Sequence, residues 1–261
     1  MKKFFSVVSA IACIVALSGC NEKKLSLNSD YSYNRVKASG ILVMGHMGDY
    51  PPMVFTDKDS NVVGFDVDLA REVCSRLGVK LKLHLIPWAD KEKELYAGNI
   101  DCIWNGMSVD SSRASSMNLS DPYFTNRLVF MVKNEAYNSI DSLKGKKIGV
   151  QNASTAWSMI EQSEIKKDVK EVVLFETMNL ALEAMEQDSV DAVFMDEVAA
   201  KYWNVLNNKN YAILEDGVYN EFYAVGFRKA DKALRDTINA VLTSMKKDGK
   251  FVDITVKWFG K

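Results

Sequence analysis

The chain has 261 residues, 48% hydrophobic and 26% charged, with 33 basic against 34 acidic side chains and a formal net charge of −1. That length suits one large domain or two small lobes, and near-neutrality gives no electrostatic footing for nucleic acid. The two histidines, His46 and His84, form no metal-ligand grouping, and neither a G-x-S-x-G nucleophile elbow nor a phosphate-binding glycine loop occurs. No metal or cofactor is expected.

Lys2 and Lys3 precede an apolar run from Phe4 to Leu17. The run is shorter than the roughly 20 residues a helix needs to cross a bilayer. A basic start, a short apolar core and small residues after it describe an export signal. Leu17-Ser18-Gly19-Cys20 resembles the lipobox of bacterial lipoproteins. The resemblance implies that residues 1–19 are removed and that Cys20 carries lipid, the alternative being an ordinary signal cleaved elsewhere. No later stretch approaches a transmembrane length, so anchoring outside the cytoplasm would depend on that lipid. Residues 20–34 are polar and lack periodicity, which predicts a flexible tether. Beyond Cys13 and Cys20 only Cys74 and Cys102 remain. An oxidising compartment permits a disulfide between them, and two buried free thiols are the other reading.

Regular structure begins with the strand-like run Gly40–Met44, followed by a loop closed by Pro51-Pro52. Val62–Gly64 leads into a helix with Phe65, Leu69, Ala70, Val73, Cys74 and Leu77 on one face and Asp66, Asp68, Arg71 and Glu72 on the other. Gly78 ends it. Strands are predicted at Lys80–Ile86 and Ile100–Trp104. A second set follows: a strand at Lys147–Gln151, a helix from about Ser154, a strand at Val172–Phe175, a helix at Asn179–Gln187 and a strand at Ala192–Met195. The final helix places Leu234, Ile238, Val241, Leu242 and Met245 on one face and stops at Gly249. Strands alternating with helices predict an α/β protein of parallel sheets covered on both faces.

Several segments match one family in order. Gly64-Phe65-Asp66-Val67-Asp68-Leu69-Ala70-Arg71-Glu72-Val73-Cys74 resembles the signature of the family 3 extracellular solute-binding proteins. Tyr50-Pro51-Pro52, Leu95-x-x-Gly98-x-x-Asp101, Gly106-Met107-Ser108-Val109-Asp110-Ser111-Ser112-Arg113, Ser120-Asp121-Pro122-Tyr123, Asp191–Glu197 and Lys257–Gly260 fit as well. The resemblance covers about residues 35–260. It implies a two-lobed clamp of the periplasmic-binding-protein type, with lobe 1 at 35–128 and 222–261 and lobe 2 at 129–221. Two crossover strands, near Arg127–Val132 and Tyr223–Phe227, would form the hinge. It also implies capture of a free amino acid by a monomer that delivers it to an ABC transporter permease and its ATPase.

The residue types suit such a ligand. Arg113 offers a planar fork that takes a carboxylate bidentately, and Ser108 can add a hydroxyl and a backbone N–H. Asn105 and the carbonyl of Gly106 fall where the family meets the ammonium. Asp196 follows a strand at the edge where ligands bind in open α/β sheets; it suits the ammonium, and it also suits a helix N-cap. Ser154 and Thr155 open a helix whose free N–H groups attract carboxylate or are simply capped. Tyr50 and Trp88 match positions that sandwich the ligand side chain. Met47 stands where many binders of basic amino acids carry an acid, which predicts a neutral ligand, polar or sulfur-containing. Ser112 replaces the acid usual before the arginine. The competing classes are a cyclohexadienyl-dehydratase-like enzyme, with Glu197 or Asp49 as general acid, and a module that presents the ligand to a receptor.

Overall fold

A computed structural model describes residues 30–260. The expected export signal, the expected lipid attachment at Cys20 and most of the expected tether lie outside the described residues. The tether gives way to structure earlier than its polarity suggests, because helix α1 (Ser32–Ser39) starts inside it. The reason is capping at long range. Asp30 accepts from the backbone N–H of Ala233, and the Ser32 hydroxyl accepts from that of Leu234 at 3.0 Å. Both N–H groups belong to the first turn of a C-terminal helix and have no partner within it.

In chain order come β1 (Ile41–His46), β2 (Asp49–Tyr50), β3 (Val54–Thr56), β4 (Val62–Val63), α2 (Phe65–Leu77), β5 (Lys80–Leu85), α3 (Lys91–Ala97), β6 (Cys102–Ile103), α4 (Ser111–Ser116) and β7 (Asn118–Leu119). The second half holds β8 (Phe124–Val132), β9 (Lys147–Gln151), α5 (Thr155–Gln162), α6 (Ile165–Asp168), β10 (Glu171–Phe175), α7 (Met178–Glu186), β11 (Ala192–Asp196), α8 (Glu197–Leu206), β12 (Ala212–Ile213) and β13 (Tyr219–Tyr223). Then follow β14 (Gly226–Phe227), α9 (Lys232–Lys247) and α10 (Lys250–Phe259).

These strands build two main sheets. The first runs β5-β1-β6-β14-β7, and the second runs β10-β9-β11-β8-β12 with β13 paired to β8. As predicted, the strands that alternate with helices are parallel: β1 pairs with β5 from Ile41↔Lys80 to His46↔Leu85, and β9 with β10 from Lys147↔Glu171 to Phe175↔Gln151. The sheets are mixed, however. Strands β8, β12, β13 and β14 pair antiparallel, because they leave or re-enter a sheet directly and need no helical crossover. A small antiparallel sheet, β2-β3-β4, and the final helix α10 were not anticipated. Gly249 ends one helix and, at φ 86°, starts the next.

The chain leaves the first sheet at Leu119 and enters the second at Phe124; it returns between Tyr223 and Gly226. Between those points β8 and β13 lie side by side, from Tyr219↔Leu128 to Tyr223↔Phe124. Leu42, Met44, Phe65, Leu69 and Val73 fill the core of the first half beneath α9. Phe130, Ile148, Val150 and Phe194 fill that of the second, where Phe130 stacks on Phe194 at 4.4 Å between centroids. Cys74 and Cys102 are both buried free thiols.

Candidate functional site

The signature at the start of α2 shapes the site from behind. Gly64 sits at φ 140°, and a Cβ there would lie 2.1 Å from the Met53 carbonyl oxygen. Only glycine fits so close an approach. Asp66, read from periodicity as part of the polar face, is instead 0% exposed. The loop 104–107 covers the first turn of α2, and Asp66 accepts from the Gly106 N–H at 2.6 Å. Burial raises the Asp66 carboxyl to about 7, against lowering contacts from Tyr123, Gly106 and Trp104. The signature acid therefore fixes the loop that carries the site. Gly106 itself has φ 55°, and a side chain there would strike Tyr50 at 2.5 Å.

All ten residues predicted for the site line one small cavity of about 30 Å³ between the two halves: Met47, Tyr50, Trp88, Asn105, Gly106, Ser108, Arg113, Ser154, Thr155 and Asp196. Arg113 is 5% exposed. Its Nη1 donates to the Ser108 carbonyl at 2.7 Å, its Nε lies 3.4 Å from Asp110, and its guanidinium carbon is 5.6 Å from the Trp88 ring centre. Asp110 caps α4 by accepting from the Arg113 N–H at 2.8 Å. The fork is thus held from three sides before any ligand arrives. Burial lowers the arginine's pKa, partly offset by Asp110, Glu221 and Asp196.

From the other half, Ser154 caps α5, accepting from the Trp157 N–H at 3.0 Å, while Thr155 donates to Asp110 at 3.2 Å. Capping and site-lining are therefore divided between neighbours. Asp196 occupies the N-cap position of α8 without a side-chain cap bond. Asn126 serves the helix end instead, accepting from the Val198 N–H at 3.2 Å. That leaves the Asp196 carboxylate to accept from Asn126 Nδ2 at 3.0 Å and from the Tyr223 hydroxyl. Tyr50 shares a hydrogen bond of 2.8 Å with Tyr223, and Asn105 accepts from the Met47 N–H at 3.1 Å.

Several contacts cross the cleft. Lys91 reaches the Ala153 carbonyl at 3.5 Å, Gln151 reaches the Met47 sulfur at 3.6 Å, and Asn179 donates to Asp49. Together with the bond from Thr155 to Asp110 they place the halves in a closed arrangement. Lys91 is buried over the Trp88 ring, 4.7 Å from its centre, and desolvation lowers it to about 8.

Gln151, Leu128 and Ala156 also line the cavity and were missed. Gln151 ends β9 at its carboxyl edge, the same signal that marked Asp196. Leu128 lies on a crossover strand and carried no such cue. The two acids weighed as general acids are engaged elsewhere. Glu197 pairs with Arg127 and Lys201 and is held at about 2, with Arg127 the larger cause. Asp49 is half-buried, bound to Asn179, and raised mainly by burial. Among the described residues no cluster of side chains suits a metal ion, and no helix is long and apolar enough to cross a membrane.

Two α/β halves joined by paired strands, with an arginine and an aspartate facing one closed cavity, define a clamp-type binding protein. The chain belongs to the bacterial extracellular solute-binding proteins, family 3, whose family model matches residues 42–261. It is 30% identical over 271 residues to the L-cystine-binding protein TcyA of Bacillus subtilis, covering 100% of this chain and 98% of that one. It is 27% identical over 230 residues to the L-cystine-binding protein TcyJ of Escherichia coli, covering 87% and 85%. Among solved structures it resembles a substrate-binding protein of a Streptococcus pneumoniae ABC uptake transporter with bound histidine. That match has a TM-score of 0.85 and 32% identity and covers 89% and 97% of the two chains.

Proposed function

We propose that this protein captures a free amino acid with an uncharged side chain, polar or sulfur-containing, and delivers it to the permease and ATPase of an ABC importer. The supporting observation is the opposition of Arg113 on one wall to Asp196 on the other, 5% and partly exposed respectively, in a single cavity. The fork would take the α-carboxylate with Ser108 and the N–H groups that open α5. Asp196, already supplied with two donors, would take the α-ammonium. Tyr50, Trp88 and Met47 would enclose the side chain, and Met47 offers no charge to a basic one. The cystine-binding relatives favour a sulfur-containing ligand. Delivery would proceed from outside the cytoplasm, with Cys20 as the lipid attachment and the protein as a monomer. Binding without catalysis fits a cavity whose two candidate general acids, Glu197 and Asp49, are tied to partners.

A clamp of this kind binds at about micromolar Kd, near −8 kcal/mol, after the cost of closure. Thermal unfolding against L-cystine and each common amino acid tests the reading, since a ligand that binds only the folded state raises its stability by mass action. One or a few neutral amino acids are expected to raise Tm. No response to any of them refutes amino-acid capture, and a response to arginine or lysine alone refutes the neutral class.

A further inference from the structure

Behind Asp196 stands a second carboxylate that amino-acid capture does not account for. Glu221 lies in the middle of β13 and is 5% exposed, whereas its neighbour Phe222 is 48% exposed. The strand thus turns its acid inward and its phenyl ring out, the reverse of what burial favours. Glu221 Oε1 accepts from Asn126 Nδ2 at 2.6 Å. Its Oε2 is buried with no partner. The same Asn126 nitrogen stands 3.0 Å from Asp196 and 2.7 Å from the Tyr223 oxygen. It has two hydrogens for three acceptors.

Two carboxylates crowding one donor, one of them buried, do not both ionise at modest cost. The Tyr223 hydroxyl hydrogen goes to Asp196, and Asp196 is the more exposed of the two. Glu221 has the orphan oxygen. Burial first, and then the neighbouring Asp196, push the Glu221 carboxyl well above the usual carboxylate range. The groups facing it come from several elements: Asp196 from β11, Asn126 from β8, Ser108 from the loop after β6, Tyr50 from β2, Tyr223 from its own strand and Arg113 from α4. Only Arg113 among them is a cation, and it already has Asp110 beside it.

We propose that Glu221 is held as a neutral carboxyl and thereby sets the net charge of the ligand the cleft accepts, a proposal that rests on the amino-acid reading for its second half. With Glu221 neutral, the charged side chains that line the cavity balance, Arg113 against Asp196. A zwitterion with an uncharged side chain enters without leaving charge over. An ionised Glu221 would leave one buried negative charge unmatched, which a cationic amino acid would answer. This route to ligand choice is separate from Met47, which acts at the side-chain end.

Infrared difference spectra of wild type and E221Q at pH 7, without ligand, test the proton directly. A protonated-carboxyl carbonyl stretch is expected in the wild-type-minus-E221Q difference, where the Asp66 band common to both proteins cancels; no such band in the difference overturns the proposal. Titration calorimetry then uses whichever of L-cystine, L-methionine and L-glutamine stabilises wild type, with L-arginine alongside. E221Q, which keeps the shape and the neutral state, is expected to bind the neutral ligand within about twofold of wild type at pH 7. At pH 7 the ratio of the L-arginine Kd to the neutral-ligand Kd is expected to be the same in E221Q as in wild type. A loss of more than tenfold for the neutral ligand in E221Q, or an L-arginine to neutral-ligand Kd ratio more than tenfold higher in E221Q than in wild type, overturns the role in selectivity. If none of the amino acids stabilises wild type, the capture reading fails by itself, and the infrared band still decides where the proton is.

Discussion

Replacing Arg113 by alanine removes the one cation whose fork faces the cavity. Truncating one partner of a buried, hydrogen-bonded charge pair costs about 2–5 kcal/mol. The geometry here favours the lower half of that range. Asp110, the acid left behind, keeps the α4 N–H at 2.8 Å and the Thr155 hydroxyl at 3.2 Å, so it is not stranded. A loss of about 3 kcal/mol corresponds to a Kd roughly 100-fold weaker, at about 1.4 kcal/mol per tenfold. Calorimetric titration with the amino acid that stabilises wild type measures it. Arg113→Lys restores a point charge without the fork and is expected to recover only part of the loss. Tm without ligand should change little, because the guanidinium loses hydration on burial and regains it only through Ser108 and Asp110. A Kd within twofold of wild type in the alanine variant would refute the carboxylate grip while leaving the fold intact.

Asp66 makes stability depend on pH. Its carboxyl lies at about 7 in the folded state against about 4 when unfolded, so the folded protein holds the proton more tightly. The stabilisation is complete below about pH 4 and lost as pH rises to about 7, roughly 4 kcal/mol in all; Asp66→Asn should flatten Tm across that window. Gly64→Ala forces a Cβ to within 2.1 Å of the Met53 carbonyl oxygen. It should cost about 3 kcal/mol or more, a Tm drop of about 6–12 °C. Asn179→Ala removes the donor that reaches Asp49 across the cleft. It should weaken ligand binding about tenfold, mainly through faster release in stopped-flow measurements, because the closed state loses a contact the open state lacks.

Sequence patterns carried the site further than the fold. The resemblance to the family, motif by motif, is what placed Arg113, Ser108 and Asp196 at one site, since they come from opposite halves of the chain. Periodicity failed at Asp66, since nothing in α2 announces that a loop from elsewhere folds over its polar first turn. The sequence offers no reading of β13, where Glu221 turns inward and Phe222 outward. A shift of one residue in a strand flips every side chain, and the pairing with β8 fixes the register there. The short strands β2, β4, β12 and β14 and helix α10 escaped because two-residue strands and a helix after a glycine stop give almost no periodic signal.

The two-residue strand β14 lies between β6 and β7, and β7 joins the first sheet through it. Yet β14 follows every strand of the second sheet in the chain. A nascent chain that has emerged only as far as β7 therefore holds a sheet with its middle missing, while the second sheet, contiguous from β8 to β13, can close on its own. Completion of the first half waits for the last thirty-odd residues, including α9, whose first turn must find Asp30 and Ser32 at the opposite end of the described chain. Such long-range closure is slow. The order of the strands along the chain thus makes the first half the last to be completed.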